Sequence, residues 1–143
     1  MPSAAHSPEL DYRRRRIRAA VAGIGNCAGS LIQGVSFYRD NPNCTSGLLF
    51  PQLAGYQVSD IEFVAGFDIS QEKVGKPLSD AILARPNNFV PIPGVAGECE
   101  APVFRAPTMD GNRAHLAQFV PESSEKSRRR GRNPPGYIIR SPG

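Results

Sequence analysis

RAAVAGIGNCAGSLIQGV, residues 18–35, begins as a run of small and branched residues, halts at two glycines and resumes with a different period. From Ile17 to Gly23 the run has no polar alternation. It predicts a strand buried on both faces, the pattern of a parallel sheet. Beyond the glycines, Ala28, Leu31, Ile32, Val35 and Tyr38 or Arg39 recur at the i, i+3, i+4, i+7 spacing of one helix face. The order is strand, glycine turn, helix.

Gly23, Gly25 and Ala28 form G-x-G-x-x-A between those two elements, which is the context a dinucleotide fingerprint requires. Gly23 permits a tight turn, and Gly25 lets backbone approach a pyrophosphate with no Cβ in the way. The small Ala28 lets helix and strand pack closely. The amides of Asn26, Cys27 and Ala28 then present first-turn N–H groups and the positive helix end to phosphates.

A second apolar run, IEFVAGFD at 61–68, ends on Asp68, whose carboxylate would accept hydrogen bonds from an adenosine ribose and disfavour a 2′-phosphate. Asp68 follows Gly25 by 43 positions, where about 20 is usual, so residues 40–60 must loop out of the unit. Three other readings stand beside these. The glycines can serve a close-packed strand–helix turn without a cofactor, and Asp68 can cap a helix. Cys27 can be a small residue tolerated in the turn rather than a nucleophile, since no histidine is placed near it.

Residues 1–16 are polar and charged and read as a disordered leader, and residues 126–143 as a disordered basic tail rich in proline and glycine. Glycine and proline number 14 each, well above average usage. The formal charge of +4 resides in these flanks: Ala19 to Glu125 holds six basic against eleven acidic side chains. That sign argues against nucleic acid as a partner, and the runs Arg13–Arg16 and Arg128–Arg132 carry no interleaved aromatics. Three cysteines (Cys27, Cys44, Cys99) without CxxC spacing favour reduced thiols in a cytoplasmic protein. No zinc-ligand spacing joins them to His6 or His115, and no apolar run reaches membrane-spanning length. The basic leader before IRAAVAGI mimics an export signal poorly, because Arg18, Gly23 and Gly25 break its apolar part.

Between Asp40 and Asp60 breakers predict a long irregular connection. Ser70 stands where a helix N-cap would, with Glu72 in the first turn; Gly75 and Pro77 interrupt that helix and SDAIL adds a further turn. FVPI and PVFRA are candidate short strands, and TMDG opens a last helix through Phe119.

Taken together, VAGIGNCAGSLIQGV, GYQVSDIEFVAGFDISQEKVGKPLSDAI, PNN and APTMDG resemble the amino-terminal part of the inositol-1-phosphate synthase (myo-inositol-3-phosphate synthase) family, in its actinobacterial and archaeal form. The likeness spans residues 17 to about 124 in the family's order, the long first connection included. It implies an α/β fold: a truncated NAD-binding Rossmann-like domain over 17–125, its parallel sheet incomplete. It also implies an NAD-dependent isomerase that converts glucose 6-phosphate to inositol phosphate with no net redox change. The cofactor oxidises C5, an intramolecular aldol step joins C6 to C1, and the hydride is returned. By this resemblance Gly23, Gly25, Asn26, Cys27 and Ala28 match the phosphate-binding turn, Asp68 the ribose carboxylate and Asp110 a segment near the cofactor.

Family members are much longer and form homotetramers, and their catalytic lysines lie in a second domain with no counterpart here; Lys73 and Lys76, expected in the helix after the second strand, do not correspond to them. The loss of pattern after Glu125 is what a frame change would leave. The expectation is therefore a chain without catalytic residues of its own and with apolar surface exposed on Leu31, Ile32 and Val35 or along Ile61–Phe67. The alternative is a free-standing NAD-binding or partner-binding module.

Overall fold

The computed structural model describes residues 16–93, 99–109 and 115–127. Strand β1 (Ile17–Ala22) leads through the glycine turn into the 15-residue helix α1 (Asn26–Asp40). The connection that follows is less irregular than its breakers predict. It holds an antiparallel hairpin, β2 (Gln52–Leu53) with β3 (Tyr56–Gln57), and a 3-10 turn at Val58–Asp60 in which Asp60 caps the Gln57 amide. Gly55, at φ +84°, makes the hairpin's reversal possible. The chain then enters β4 (Ile61–Asp68), the short helix α2 (Leu78–Ala81) and β5 (Val103–Arg105).

The sheet is parallel, in the order β1–β4–β5. That order places the strand ends Ala22, Asp68 and Arg105 along one carboxyl edge. Helix α1 and α2 pack on one face, around a core of Ile24, Ile32, Leu78, Ala81, Ile82, Ala101 and Val103, with Val21, Phe63, Phe89 and Cys99 against it. Gly66 makes this closeness possible: a Cβ there would stand 3.0 Å from both Leu78 Cδ1 and Val103 Cγ2 and 3.2 Å from Ile24 Cδ1.

Several expectations are corrected. β1 is not buried on both faces: Ala19 and Val21 are half-buried, while Ala20 and Ala22 are exposed. Among the described residues it is an edge strand, with β4 on one side and helices covering one face. The buried stripe of α1 is also rotated. Ala28, Ile32 and Val35 are buried, as their helical spacing predicts; this overturns the expected exposure of Ile32 and Val35, and of that trio Leu31 alone is exposed, at 53%, with Gly29 and Gln33 taking its place inside. The cause is the segment 87–92, which lies over that side rather than forming the strand expected of FVPI. Phe89 packs where a Gly29 Cβ would be, 2.3 Å from the ring, and Gln33 Oε1 accepts the Ile92 N–H at 2.7 Å.

The helix expected from Ser70 is a series of turns. Ser70 Oγ does accept the Glu72 N–H, at 3.2 Å, but Gly75 at φ +83° and Pro77 stop propagation. The segment 115–119 is turn rather than helix, with Leu116 and Phe119 exposed and so without the apolar burial that would hold a helix. Residues 1–15 of the leader and 128–143 of the tail lie outside the described residues.

Candidate functional site

Everything at the turn is organised around Ile24. Its side chain is fully buried, fixing the turn to the core. On one side Gly23, at φ +82°, donates its N–H to Phe67 O at 2.8 Å, locking the turn to the end of β4. The Ile24 N–H donates to Asp68 Oδ2 at 2.7 Å. The Ile24 carbonyl accepts two donors, Lys73 Nζ at 2.6 Å and Asn87 Nδ2 at 3.0 Å. Both polar groups of this one residue are thereby held by parts of the chain far away in sequence.

Gly25 then enters α1 as its N-cap in extended conformation, φ −93° and ψ −168°, and its carbonyl takes the first helical bond from Gly29 N–H at 3.0 Å. No side chain caps the helix, and its first turn holds no acidic residue. A Cβ on Gly25 would meet no protein atom within 4 Å. The backbone conformation does not demand glycine here, so open space above the turn is what the missing side chain leaves, as an approaching phosphate needs.

Asn26 holds that opening in shape from the other side. Its Nδ2 donates to Asn88 Oδ1 at 2.6 Å and its Oδ1 accepts the Asn88 N–H at 2.9 Å, docking the Pro86–Asn88 loop on the helix start. The Cys27 thiol is exposed, and Ala28 is buried against the core. Asp68 takes up both of its earlier readings in part: Oδ2 braces Ile24, while Oδ1 accepts the N–H groups of Ile69 at 2.8 Å and Ser70 at 2.9 Å and so caps the turn after β4. The structure thus brings Gly23, Gly25, Asn26, Cys27, Ala28 and Asp68 to one edge of the sheet; Asp110 lies outside the described residues.

Sequence reasoning missed Lys73, Asn87 and Asn88. Lys73 lies in a turn rather than a helix and is 4% exposed. Burial pushes its ammonium below the usual lysine range, and the charge of Asp68 opposes that in part. Its Nζ also donates to Asn87 Oδ1 at 2.9 Å, and Asn87 Nδ2 reaches Ile82 O at 2.8 Å. The adjacent asparagines after Pro86 were the available signal, since paired amides in a loop offer donors and acceptors for docking.

At the end of β5, the buried Arg105 bonds Glu122 Oε2 and Thr108 Oγ1, each at 2.7 Å, together with Ser123 O and Ala106 O. This ties the 121–123 segment beside Ile69–Gln71, where Gln71 N–H donates to Pro121 O and Ser123 N–H to Ile69 O. A cleft of about 610 Å³, with Arg18, Arg39 and Glu62 in its lining, opens at the other end of β1 and β4, away from the turn. Among the described residues no group of three or more His, Cys, Asp or Glu side chains gathers to hold a metal, and no helix is long and apolar enough to cross a membrane.

A parallel β–α–β unit with an open glycine turn at a helix start and a carboxylate at the end of the neighbouring strand is the arrangement of nucleotide-binding α/β proteins. No family model matches the chain. Over 110 residues it is 46% identical to the inositol-3-phosphate synthase of Corynebacterium glutamicum, a match covering 76% of this chain and 30% of that protein. Over 106 residues it is 45% identical to the inositol-3-phosphate synthase of Mycobacterium tuberculosis, covering 73% and 29%. The crystal structure of Ari2 superposes with a TM-score of 0.60 at 40% identity, over 65% of this chain and 29% of that one. The chain belongs to the inositol-3-phosphate synthase family, and it spans about 30% of the length of the curated relatives it matches.

Proposed function

We propose that this chain binds NAD at the Gly23–Ala28 turn, as the cofactor-binding part of an inositol-3-phosphate synthase acting on glucose 6-phosphate in the cytoplasm. The observation that carries the reading is the turn itself: a Gly25 whose backbone needs no glycine, set beneath open space at an uncapped helix start. The residues present fit the cofactor. The amides of Asn26, Cys27 and Ala28 receive the pyrophosphate, Asp68 takes the ribose, and Asp110 is assigned to a segment near the cofactor by the family resemblance alone. Bound NAD would supply reversible hydride storage.

Residues 17–125 form the binding unit; a homotetramer is what the family resemblance implies for the full-length enzyme, not for this unit by itself. By themselves these 143 residues bind without turning over, because the family's catalytic lysines have no counterpart among them. A free-standing NAD-binding module is the second reading. It is favoured by the bracing of Ile24, which comes wholly from within residues 23–87.

Titration of the full chain with NADH, followed by nicotinamide fluorescence, tests the reading. Gly25→Val abolishes binding while the chain still unfolds cooperatively, since a Cβ at this position has nothing beyond its chain neighbours within 4 Å. Equal binding by the wild type and Gly25→Val, or none by the wild type, refutes it. Inositol phosphate formed from glucose 6-phosphate and NAD by the full chain refutes the binding-without-turnover part.

A further inference from the structure

We propose that Lys73 and Asn87 are positioning residues for phosphate recognition, holding the Ile24–Gly25 peptide so that the Gly25 N–H faces the ligand. The proposal rests on the NAD reading and deepens it. A trans peptide directs its carbonyl and the following N–H to opposite sides. The Ile24 carbonyl is drawn inward by Lys73 Nζ at 2.6 Å and Asn87 Nδ2 at 3.0 Å. The Gly25 N–H is therefore turned away from the Lys73–Asn87 pair.

The arrangement is closed and rigid. Lys73 also bonds Asn87 Oδ1, and Asn87 is anchored on Ile82 O, so neither side chain can leave the Ile24 carbonyl without breaking a second bond. A charged donor is costly at this place, because burial imposes on the Lys73 ammonium a desolvation that an uncharged donor to the Ile24 carbonyl would avoid. What an ammonium adds is polarity. Bonded to the carbonyl, it polarises the peptide and makes the N–H on its far end a stronger donor to an anion. Asp68, on the other side of Ile24, offsets part of the positive field at longer range while holding the Ile24 N–H inward.

The test compares wild type, Lys73→Met and Lys73→Gln as full chains, measuring affinity for NADH, ADP and adenosine at several salt concentrations, with ligand-free thermal unfolding alongside. Both variants are expected to lose about tenfold or more in affinity for NADH and ADP, the scale of a charge-assisted hydrogen bond. Adenosine affinity should hold, and the salt dependence of ADP binding should flatten. Should Lys73→Met fail to fold, Lys73→Gln, which retains an N–H donor without the buried charge, carries the same comparison. A merely structural lysine would lower the unfolding temperature and weaken all three ligands alike, and that result overturns the proposal. So does wild-type affinity for NADH and ADP in either folded variant. If the wild type binds neither NADH nor ADP, the NAD reading itself fails and the proposal with it.

Discussion

Replacing Asp68 with Asn changes one oxygen into an amide and should still loosen the whole turn. In the native chain the carboxylate accepts three backbone N–H groups, Ile24 on Oδ2 and Ile69 and Ser70 on Oδ1. An Asn has one acceptor oxygen. If it keeps Ile69 and Ser70, its NH2 group points at the Ile24 N–H, donor against donor; if it flips, two bonds are lost instead of one. Hydrogen bonds to charged groups contribute roughly 1.5–3 kcal/mol, and the half-buried setting places this loss at about 2 kcal/mol. The substitution also removes the anion that supports the buried ammonium of Lys73. Urea unfolding of the full chain, followed by far-ultraviolet circular dichroism, reads the cost as a lower midpoint at unchanged slope. The thermal midpoint should fall by about 2–4 °C per kcal/mol. Unfolding of Asp68→Asn at the wild-type midpoint would refute the bracing of Ile24 by this carboxylate.

Gly66→Val places methyl groups among the Leu78, Val103 and Ile24 side chains, where even a Cβ is tight, and should cost about 1–3 kcal/mol by urea unfolding; a neutral outcome would mean that α2 is not seated on the sheet at this point. Among the thiols, burial pushes Cys99 above the usual range, against smaller pulls from the Ala101 backbone and Arg39, so it holds less reactive thiolate at pH 8. Cys27 is exposed, and an aromatic disulfide reagent should modify it first, with the fast phase disappearing in Cys27→Ser.

The parts of this fold that rest on short-range pattern were legible in the sequence. The apolar run 61–68 is β4 to the residue, and the glycine turn sits between β1 and α1 as its spacing dictates. What escaped depends on contacts between distant segments. Leu31 fits the helical period, yet the side of α1 that is buried was decided by where Phe89 and Ile92 come to rest. The strand β1 carries the composition of a central strand, but burial on both faces needs neighbours that the described residues do not provide. Lys73 was expected within the helix after the second strand. Gly75 and Pro77 cut that helix short, and the turn that replaces it folds the side chain inward to the Ile24 carbonyl, 49 residues back along the chain.

The bonding of Asp68 also constrains how a dinucleotide would be read in this turn. A carboxylate has about four lone-pair positions for hydrogen bonds. Ile69 and Ser70 occupy those of Oδ1 and Ile24 one of those of Oδ2, which leaves a single position on the oxygen nearer the glycine turn. A ribose placed there can give Asp68 one hydroxyl, and the other hydroxyl must find its partner elsewhere. On the proposed NAD reading, preference for a cofactor without a 2′-phosphate would not rest on the number of hydrogen bonds, because one bond distinguishes the two cofactors weakly. It would rest on charge: an added phosphate would have to approach a carboxylate that three backbone N–H groups hold in place, and so could not be relieved by turning that carboxylate away.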